Sequence, residues 1–217
     1  MKMSMPITKE RIKHHFNYAW WQYALLLIVA ILGWNLIHTM THYRSPEHLK
    51  VDWFYGAYLM DNGEKAEAFA DQLHKEVLPE MEEVNFQSFI SDDTYTPMQL
   101  TAWTFAGEGD LYTLPEQHFR NLSTSGVLMN LQPHVESGLL PVEGVDLSGC
   151  TVKHPETGEE WLVGIPMSCM PGLQQHGLFG DDAYFCVLFA GGNDDNTLKL
   201  LAHLLENYRE PAPLPAT

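Results

Sequence analysis

Apolar residues in this chain occur first in one long, mostly apolar stretch and then in short segments at strand or helix spacing. The long stretch, Ala19–Met40, lies within a segment from His14 to Tyr43 that contains no Asp, Glu, Lys or Arg. About 20 residues of helix cross the hydrocarbon core of a bilayer. The pattern therefore predicts a transmembrane helix over residues 19–40.

The residues that flank this stretch predict its orientation. Aromatic side chains of the kind found at membrane interfaces mark its ends: Trp20, Trp21, Tyr23 and Trp34. Lys9, Arg11 and Lys13 precede it, whereas the acidic part of the chain follows it. The positive-inside rule then places residues 1–18 in the cytoplasm and the rest of the chain outside the cell. The alternative is a cleaved signal peptide, but no A-x-A-like small-residue site follows the apolar run.

Beyond the apolar stretch the chain alternates between strand and helix patterns. In the first half, the pattern predicts strands over Val51–Tyr58, Val84–Ile90 and Leu111–Leu114. It predicts helices over Glu64–Leu78, from Thr96-Pro97 to Ala106, and from Pro115 to before Gly126. The second half predicts a hairpin of Thr151–Lys153 with Glu160–Gly164, a strand over Tyr184–Phe189, and a last helix capped by Asn193 or Asp194.

This order of elements predicts an α/β fold. Three early strands, each followed by a helix, favour a parallel sheet because parallel neighbours need crossover connections. The hairpin adds antiparallel pairing, so we expect a mixed, mainly parallel sheet with flanking helices. The predicted boundaries are a polar linker over 41–50, an α/β domain over 51–209 and a disordered tail over 210–217, in which prolines prevent a helix.

Three stretches resemble the first lobe of bacterial extracellular solute-binding proteins, which have the type 2 periplasmic-binding fold. They are Gly109–Phe119 followed by Ser125–Val135, the hairpin region Glu156–Pro166, and the helix Asp194–Tyr208. The resemblance implies a ligand-recognition domain associated with transport. It also implies a truncated, single-lobe form, because the segment from Pro166 to Tyr184 is too short to contain a second lobe.

Charge narrows the partners that the domain can have. From Ser45 onward there are seven basic and 27 acidic residues, a net charge of −20. Such a field repels nucleic acid and anionic lipid headgroups, and it favours a cationic small molecule or peptide. An acidic surface that only keeps the protein soluble is the plainer interpretation. The other expected partners are the bilayer, through residues 19–40, and a transporter or another membrane protein.

Ligands of open α/β sheets sit beyond the carboxyl ends of the strands. Four residues lie at such ends and are the predicted ligand-binding residues: Tyr55, Asp92, Asp93 and Thr113. A carboxylate pair with aromatic neighbours would suit an amine or a basic peptide. The alternative is that Asp92 and Asp93 only hold the loop and the next helix through their side-chain acceptors.

The sequence contains no catalytic, metal-binding or phosphate-binding signature, so we expect no enzyme activity and no cofactor. His38 and His42 could form a weak metal pair, and Met167, Cys169 and Met170 could form a soft-metal site, but interfacial and core roles are favoured. For Cys150, Cys169 and Cys186 free thiols are favoured over a Cys150–Cys169 disulfide. The sequence thus predicts a membrane-anchored recognition domain; the alternative is a non-catalytic structural or regulatory subunit of a membrane complex.

Overall fold

The computed structural model of this protein describes residues 9–41, 45–189 and 192–211. They belong to two compact units, Met1–Arg44 and Ser45–Thr217. Parts of three predicted segments lie outside the described residues: 1–8 of the cytoplasmic segment, 42–44 of the linker, with His42, and 212–217 of the tail.

The described residues of the first unit form one long helix, α1, which spans Lys9–Thr41. By length and composition its segment Asn17–Thr41 could cross a membrane, a property that N-terminal signal sequences share. None of that segment's most apolar window is buried within the protein. Near its end the hydroxyls of Thr39 and Thr41 donate to carbonyls four residues earlier, at 2.8 and 2.7 Å, so both are satisfied without water.

The second unit is built on a five-stranded sheet. Its strands, in spatial order, are β3 (Glu83–Ser88), β1 (Lys50–Tyr55), β4 (Leu111–Pro115), β9 (Ala183–Val187) and β7 (Ile165–Pro166). β1 pairs in parallel with β3 and β4, whereas β9 is antiparallel to both β4 and β7. The predicted mixed, mainly parallel sheet with flanking helices is therefore confirmed.

Helices cover both faces of this sheet. They are α2 (Glu64–Val77), α3 (Thr96–Ala106), α4 (Glu116–Ser123), the short α5 (Gln132–Glu136) and α6 (Asp194–Asn207). Alternate residues of β1 face opposite cores: Trp53 packs with residues of α2 and α6, and Phe54 packs with residues of α3 and α4. Both faces are thus buried, and the central strands are mostly apolar, with Asp52 of β1 and Thr113 of β4 as buried polar residues.

Two expectations about strand pairing were wrong. The hairpin of β5 (Thr151–Lys153) and β6 (Glu160–Leu162) forms a separate two-stranded sheet, and the antiparallel strand of the main sheet is β9. The first strand ends at Tyr55 rather than Tyr58, because the chain turns at Gly56. Residues 58–59 form β2, which pairs with β8 (Leu178–Phe179).

The start of α6 also differs in detail from the expectation. Asn193 is its N-cap residue, but its side chain makes no capping hydrogen bond. Its amide instead donates to the carbonyls of Glu47 and Lys50, the latter at 2.7 Å, which ties the helix start to the chain entering β1. Within the helix, leucines at spacings of three and four are buried in the core: Leu198, Leu201, Leu204 and Leu205.

Candidate functional site

An open crevice of about 770 Å³ lies beyond the carboxyl ends of the parallel strands β1 and β3. This is where open α/β sheets bind ligands. Its walls come from the segments that follow these strands, from the end of β4, and from the turn between β8 and β9. The lining residues are Gly56–Leu59, Asn62, Ser88–Ser91, Pro115, Gln174 and Phe179–Asp182.

Aromatic side chains and carboxylates share the lining of this crevice. Tyr58 is 68% exposed, and its ring lies 6.0 Å from that of Phe179 in an edge-on arrangement. Phe89 contributes a third ring. Asp181 and Asp182 are exposed and supply two carboxylates. A cation can bind between such groups, because it is attracted to the faces of the aromatic rings and to the negative charge of the carboxylates.

A glycine allows one of these rings to take its position. A Cβ atom at Gly56 would lie 2.4 Å from the ring of Phe89, closer than packed atoms approach. The backbone here is fixed from two strands, because the Gly56 N–H donates to the carbonyl of Thr113 at 2.8 Å and the Phe89 N–H donates to that of Tyr55 at 3.0 Å. The wall formed by Phe89 is therefore positioned by the sheet itself.

Two of the predicted ligand-binding residues, Tyr55 and Thr113, have fully buried side chains. The Tyr55 hydroxyl donates to the carbonyl of Phe179 at 2.9 Å, and burial raises its pKa far above the usual range. The Thr113 hydroxyl accepts a hydrogen bond of 2.9 Å from the Trp53 indole. Both side chains thus support the crevice from behind and do not line it.

The other two predicted residues, Asp92 and Asp93, lie in the exposed loop between β3 and α3. One oxygen of Asp92 accepts the backbone N–H groups of Thr94 and Tyr95, at 2.8 and 3.0 Å. These two bonds hold the pKa of the carboxyl below its usual range. Asp92 therefore stabilises the loop before α3, as the alternative interpretation of this residue proposed, and Asp92 and Asp93 lie next to the crevice without lining it.

The carboxylates that do line the crevice, Asp181 and Asp182, are not among the residues predicted from the sequence, which all lie in or after strands that precede a helix. Because β9 is antiparallel to β4, with Ala183 opposite Pro115, the amino end of β9 lies at the same edge of the sheet as the carboxyl ends of the parallel strands β1, β3 and β4. The available signal was the polar turn Gly180-Asp181-Asp182 directly before an apolar strand.

The chemistry available in a second cleft, of about 690 Å³, is limited by burial. Cys150 and Cys169 line it with two arginines, Arg120 and Arg209. Burial raises the pKa of Cys150 to about 11 and also raises that of Cys169, so neither thiol is ionised at neutral pH. All three cysteines are free thiols, and Met167 and Met170 are buried in the main core.

No group of three or more His, Cys, Asp or Glu side chains within the described ranges is arranged to hold a metal ion. The predicted pair of His38 and His42 cannot be examined, because residue 42 lies outside those ranges.

No protein-family model matches the sequence, and no curated protein is significantly similar to it. Solved structures that resemble the chain include an extracellular solute-binding protein family 1 member from Alicyclobacillus acidocaldarius, at 13% identity with a TM-score of 0.41. A protein from a study of xylan utilization by the thermophile Caldanaerobius polysaccharolyticus matches at 18% identity with a TM-score of 0.34. The galacto-N-biose-/lacto-N-biose I-binding protein of the ABC transporter from Bifidobacterium longum matches at 16% identity with a TM-score of 0.38.

The three matches cover 54%, 54% and 61% of this chain, but only 27%, 28% and 32% of the respective solved chains. The chain therefore corresponds to about three-tenths of the length of each of these proteins. One of these structures is named as an extracellular solute-binding protein, the class that the sequence resembles, and each match extends over slightly more than half of this chain.

Proposed function

We propose that this chain is a membrane-tethered recognition domain whose crevice binds a cationic ligand outside the cytoplasm. The crevice carries the proposal: about 770 Å³ of open space at the strand ends, lined by three aromatic rings and two adjacent carboxylates. The proposed ligand is a small amine or a basic peptide segment. The proposed ligand-binding residues are Tyr58, Phe89, Phe179, Asp181 and Asp182; Asp92 and Asp93 at the loop beside them would add negative charge.

The net charge of the domain supports a cationic ligand. A field from a net charge of −20 draws cations toward the surface and repels anions. In the crevice the adjacent carboxylates of Asp181 and Asp182 add a local attraction for a bound cation. The open shape of the crevice favours weak binding, because a bound ligand would stay partly in contact with water.

The tether is proposed from α1. Its segment Asn17–Thr41 has the length and composition to cross a bilayer, and the cationic residues before it favour a cytoplasmic N-terminus. In this arrangement the domain presents its ligand at the outer face of the membrane, where the proposed partner is a transporter or another membrane protein.

The experiment that tests ligand binding uses the full-length chain in detergent micelles. Melting curves are recorded with a panel of polyamines, basic peptides and neutral sugars, the last included because one structural neighbour was solved with lacto-N-biose. We expect the melting temperature to rise with cations at millimolar concentration. The double variant Asp181→Asn/Asp182→Asn is expected to lose that rise.

The matched control for this experiment is Asp71→Asn/Asp195→Asn, which removes the same charge from exposed positions outside the crevice. This control variant should keep most of the rise in melting temperature, because distant surface charges are screened within about 10 Å at 0.1 M salt. Equal losses in the two double variants would show that only the overall charge matters. A melting temperature that rises only with sugars would show that the ligand is a carbohydrate and not a cation.

A second candidate function, a non-catalytic subunit of a membrane complex, is favoured by one observation. Large apolar side chains are exposed around α3: Ile90 at 91%, Tyr95 at 73%, Met98 at 74% and Phe105 at 89%. Exposed apolar patches mark surfaces that contact other molecules. Co-purification of one stoichiometric membrane protein, together with no melting shift across the ligand panel, would favour this candidate.

A further inference from the structure

The helix α3 carries no charge on either of its sides. Its inner side packs toward the sheet, where Leu100 is buried and the ring of Trp103 lies 4.6 Å from that of Phe54. Its outer side has no charged residue either, because the chain contains no Asp, Glu, Lys or Arg from residue 94 to residue 107. A surface helix normally places charged residues on its outer side, and a helix that is apolar all round is normally buried. The outer side of α3 thus has the composition of a contact surface.

The exposed apolar side chains of α3 form one stripe, which we call the α3 stripe. Its members are Tyr95, Met98, Ala102 and Phe105, and all four are exposed. They follow one another at spacings of three, four and three residues, which places them on the same side of the helix. Tyr95 precedes the first helical residue but has helical dihedral angles, so the spacing holds from the start of the stripe.

The spacing of the α3 stripe is the same in both directions, so the stripe can pair with a copy of itself. In two antiparallel copies related by a twofold axis at the level of Leu100, Tyr95 of one copy lies opposite Phe105 of the other. Met98 then lies opposite Ala102, so that a long side chain meets a small one. A twofold interface requires such a self-complementary surface. We propose that this protein forms a homodimer through the α3 stripe, with the two helices antiparallel.

The distribution of charge is compatible with this contact although each acidic unit has a net charge of −20. At 0.1 M salt charges are screened within about 10 Å, so carboxylates close to the interface oppose it most. Along the chain the nearest ones, Asp93 and Glu108, lie beyond the two ends of the stripe. Their repulsion predicts that the dimer becomes stronger as salt rises, whereas binding of a basic partner would become weaker.

The size of the α3 stripe predicts a weak dimer. Three large side chains from each copy, at about 150 Å² each, bury about 900 Å², which is less than the roughly 1,200 Å² of stable complexes. Two copies tethered in one bilayer are confined to a thin layer, and this raises their effective concentration. The inference therefore rests on the membrane tether of the proposed function, but not on the ligand of the crevice.

The test compares disulfide cross-links between full-length chains in phosphatidylcholine liposomes, in a Cys169→Ser background that keeps only buried native thiols. Chains with Tyr95→Cys and chains with Phe105→Cys carry different tags and are mixed before reconstitution. The antiparallel dimer predicts about fivefold more of the mixed link than of either link between identical variants. Identical positions would lie about 15 Å apart along the helices, and a disulfide joins Cα atoms less than about 7 Å apart. Flotation of the liposomes shows separately whether the tether inserts.

Two matched variants measure the dimer without new cysteines, by energy transfer between chains labelled at the C-terminus. Ala102→Glu, in the middle of the stripe, should weaken dimerisation about tenfold, because it places two carboxylates in an apolar contact. Ala68→Glu makes the same change at an exposed alanine of α2 and should leave energy transfer unchanged. In the unaltered chain, energy transfer should increase between about 0.05 and 0.5 M NaCl.

Three results would overturn the inference. Equal yields of all cross-links would show chance collisions, and an excess of links between identical variants would show parallel helices. Energy transfer that Ala102→Glu leaves undiminished would assign association to another surface, such as α1. Energy transfer no higher than that of randomly placed chains would mean that α3 contacts a different molecule. If the cysteine substitutions themselves prevent association, the comparison of Ala102→Glu with Ala68→Glu decides.

Discussion

At the scale of single residues, Asp110 shows how burial can change the pH dependence of stability. It precedes β4, is 6% exposed, and accepts the backbone N–H of Asp52 at 2.8 Å while its own N–H donates to the Asp52 carbonyl at 2.9 Å. Burial, together with the nearby carboxylates of Asp52 and Glu47, raises the pKa of Asp110 to about 7 from a usual 3.8. The folded protein therefore favours the protonated form of this acid.

This shift predicts that the contribution of Asp110 to stability falls as pH rises. This contribution is fully present below about pH 4, where Asp110 is protonated in both the folded and the unfolded protein. It is lost as pH rises through about 7. Asp110→Asn cannot ionise, so relative to the unaltered protein it should gain stability between pH 4.5 and pH 8. The gain is at most about 4 kcal/mol, for a shift of about three units. Urea unfolding at both pH values measures it.

The control for this prediction is Asp71→Asn, at an exposed position of α2. Its stability difference from the unaltered protein should change little between the two pH values. A pH-independent difference for Asp110→Asn as well would mean that Asp110 is ionised in the folded state at neutral pH, contrary to the account.

At the scale of elements, the end of α6 depends on a close backbone contact. The N–H of Gly172, in a short 3₁₀ segment, donates to the carbonyl of Tyr208 at 2.9 Å. A Cβ atom at position 172 would lie 2.6 Å from the carbonyl oxygen of Glu210 and 2.9 Å from that of Tyr208. Both neighbours are backbone atoms, so the clash cannot be relieved by rotating a side chain.

Gly172→Ala should therefore lower stability by about 1–3 kcal/mol, the usual cost of overpacking. Gly149→Ala is the matched control, because a Cβ atom there would make only ordinary contacts, at 3.6 Å and beyond. It should change stability by less than about 0.5 kcal/mol. Thermal melts of the two variants measure the difference, and equal melting temperatures would show that the α6 end moves away freely.

The periodic elements could be predicted from the sequence, whereas the pairing between distant segments could not. The buried stripe of α2 and the apolar β9 segment each carry a pattern that specifies one element. No local signal specifies that β9 adds to β4 in the antiparallel sense, since that choice depends on packing across the whole sheet. The crevice could be placed at the strand ends, but Asp181 and Asp182 could not be assigned to it without that pairing.

Two of the predicted site residues show a further limit. Tyr55 is the last residue of β1, whereas Thr113 lies in the middle of β4. Both side chains occupy the side that packs toward α2 and α6, with Trp53. Because both faces of the sheet are buried, neither orientation would have brought these side chains into the crevice, which is lined mainly by residues that follow the strands.

At the scale of the whole molecule, the account combines two units with separate roles. The uncharged segment Asn17–Thr41 of α1 is proposed to hold the chain in the membrane, and the acidic unit is proposed to carry the recognition site. The distribution of charge supports this division, because the cationic residues Lys9, Arg11 and Lys13 lie before that segment and the net charge of −20 follows it. Recognition outside the cytoplasm requires that the acidic unit be on the outer side.

The most direct measurement is therefore the labelling of one introduced cysteine at a time by a membrane-impermeant maleimide, in intact cells stripped of their wall. Ser91→Cys, exposed at the crevice, and Lys9→Cys, before the membrane segment, are compared in a Cys169→Ser background, which keeps only the buried native thiols of Cys150 and Cys186. The account predicts that residue 91 is labelled at once and residue 9 only after the membrane is permeabilised. Labelling of residue 9 alone, or release of the acidic unit without residues 9–41, would contradict it.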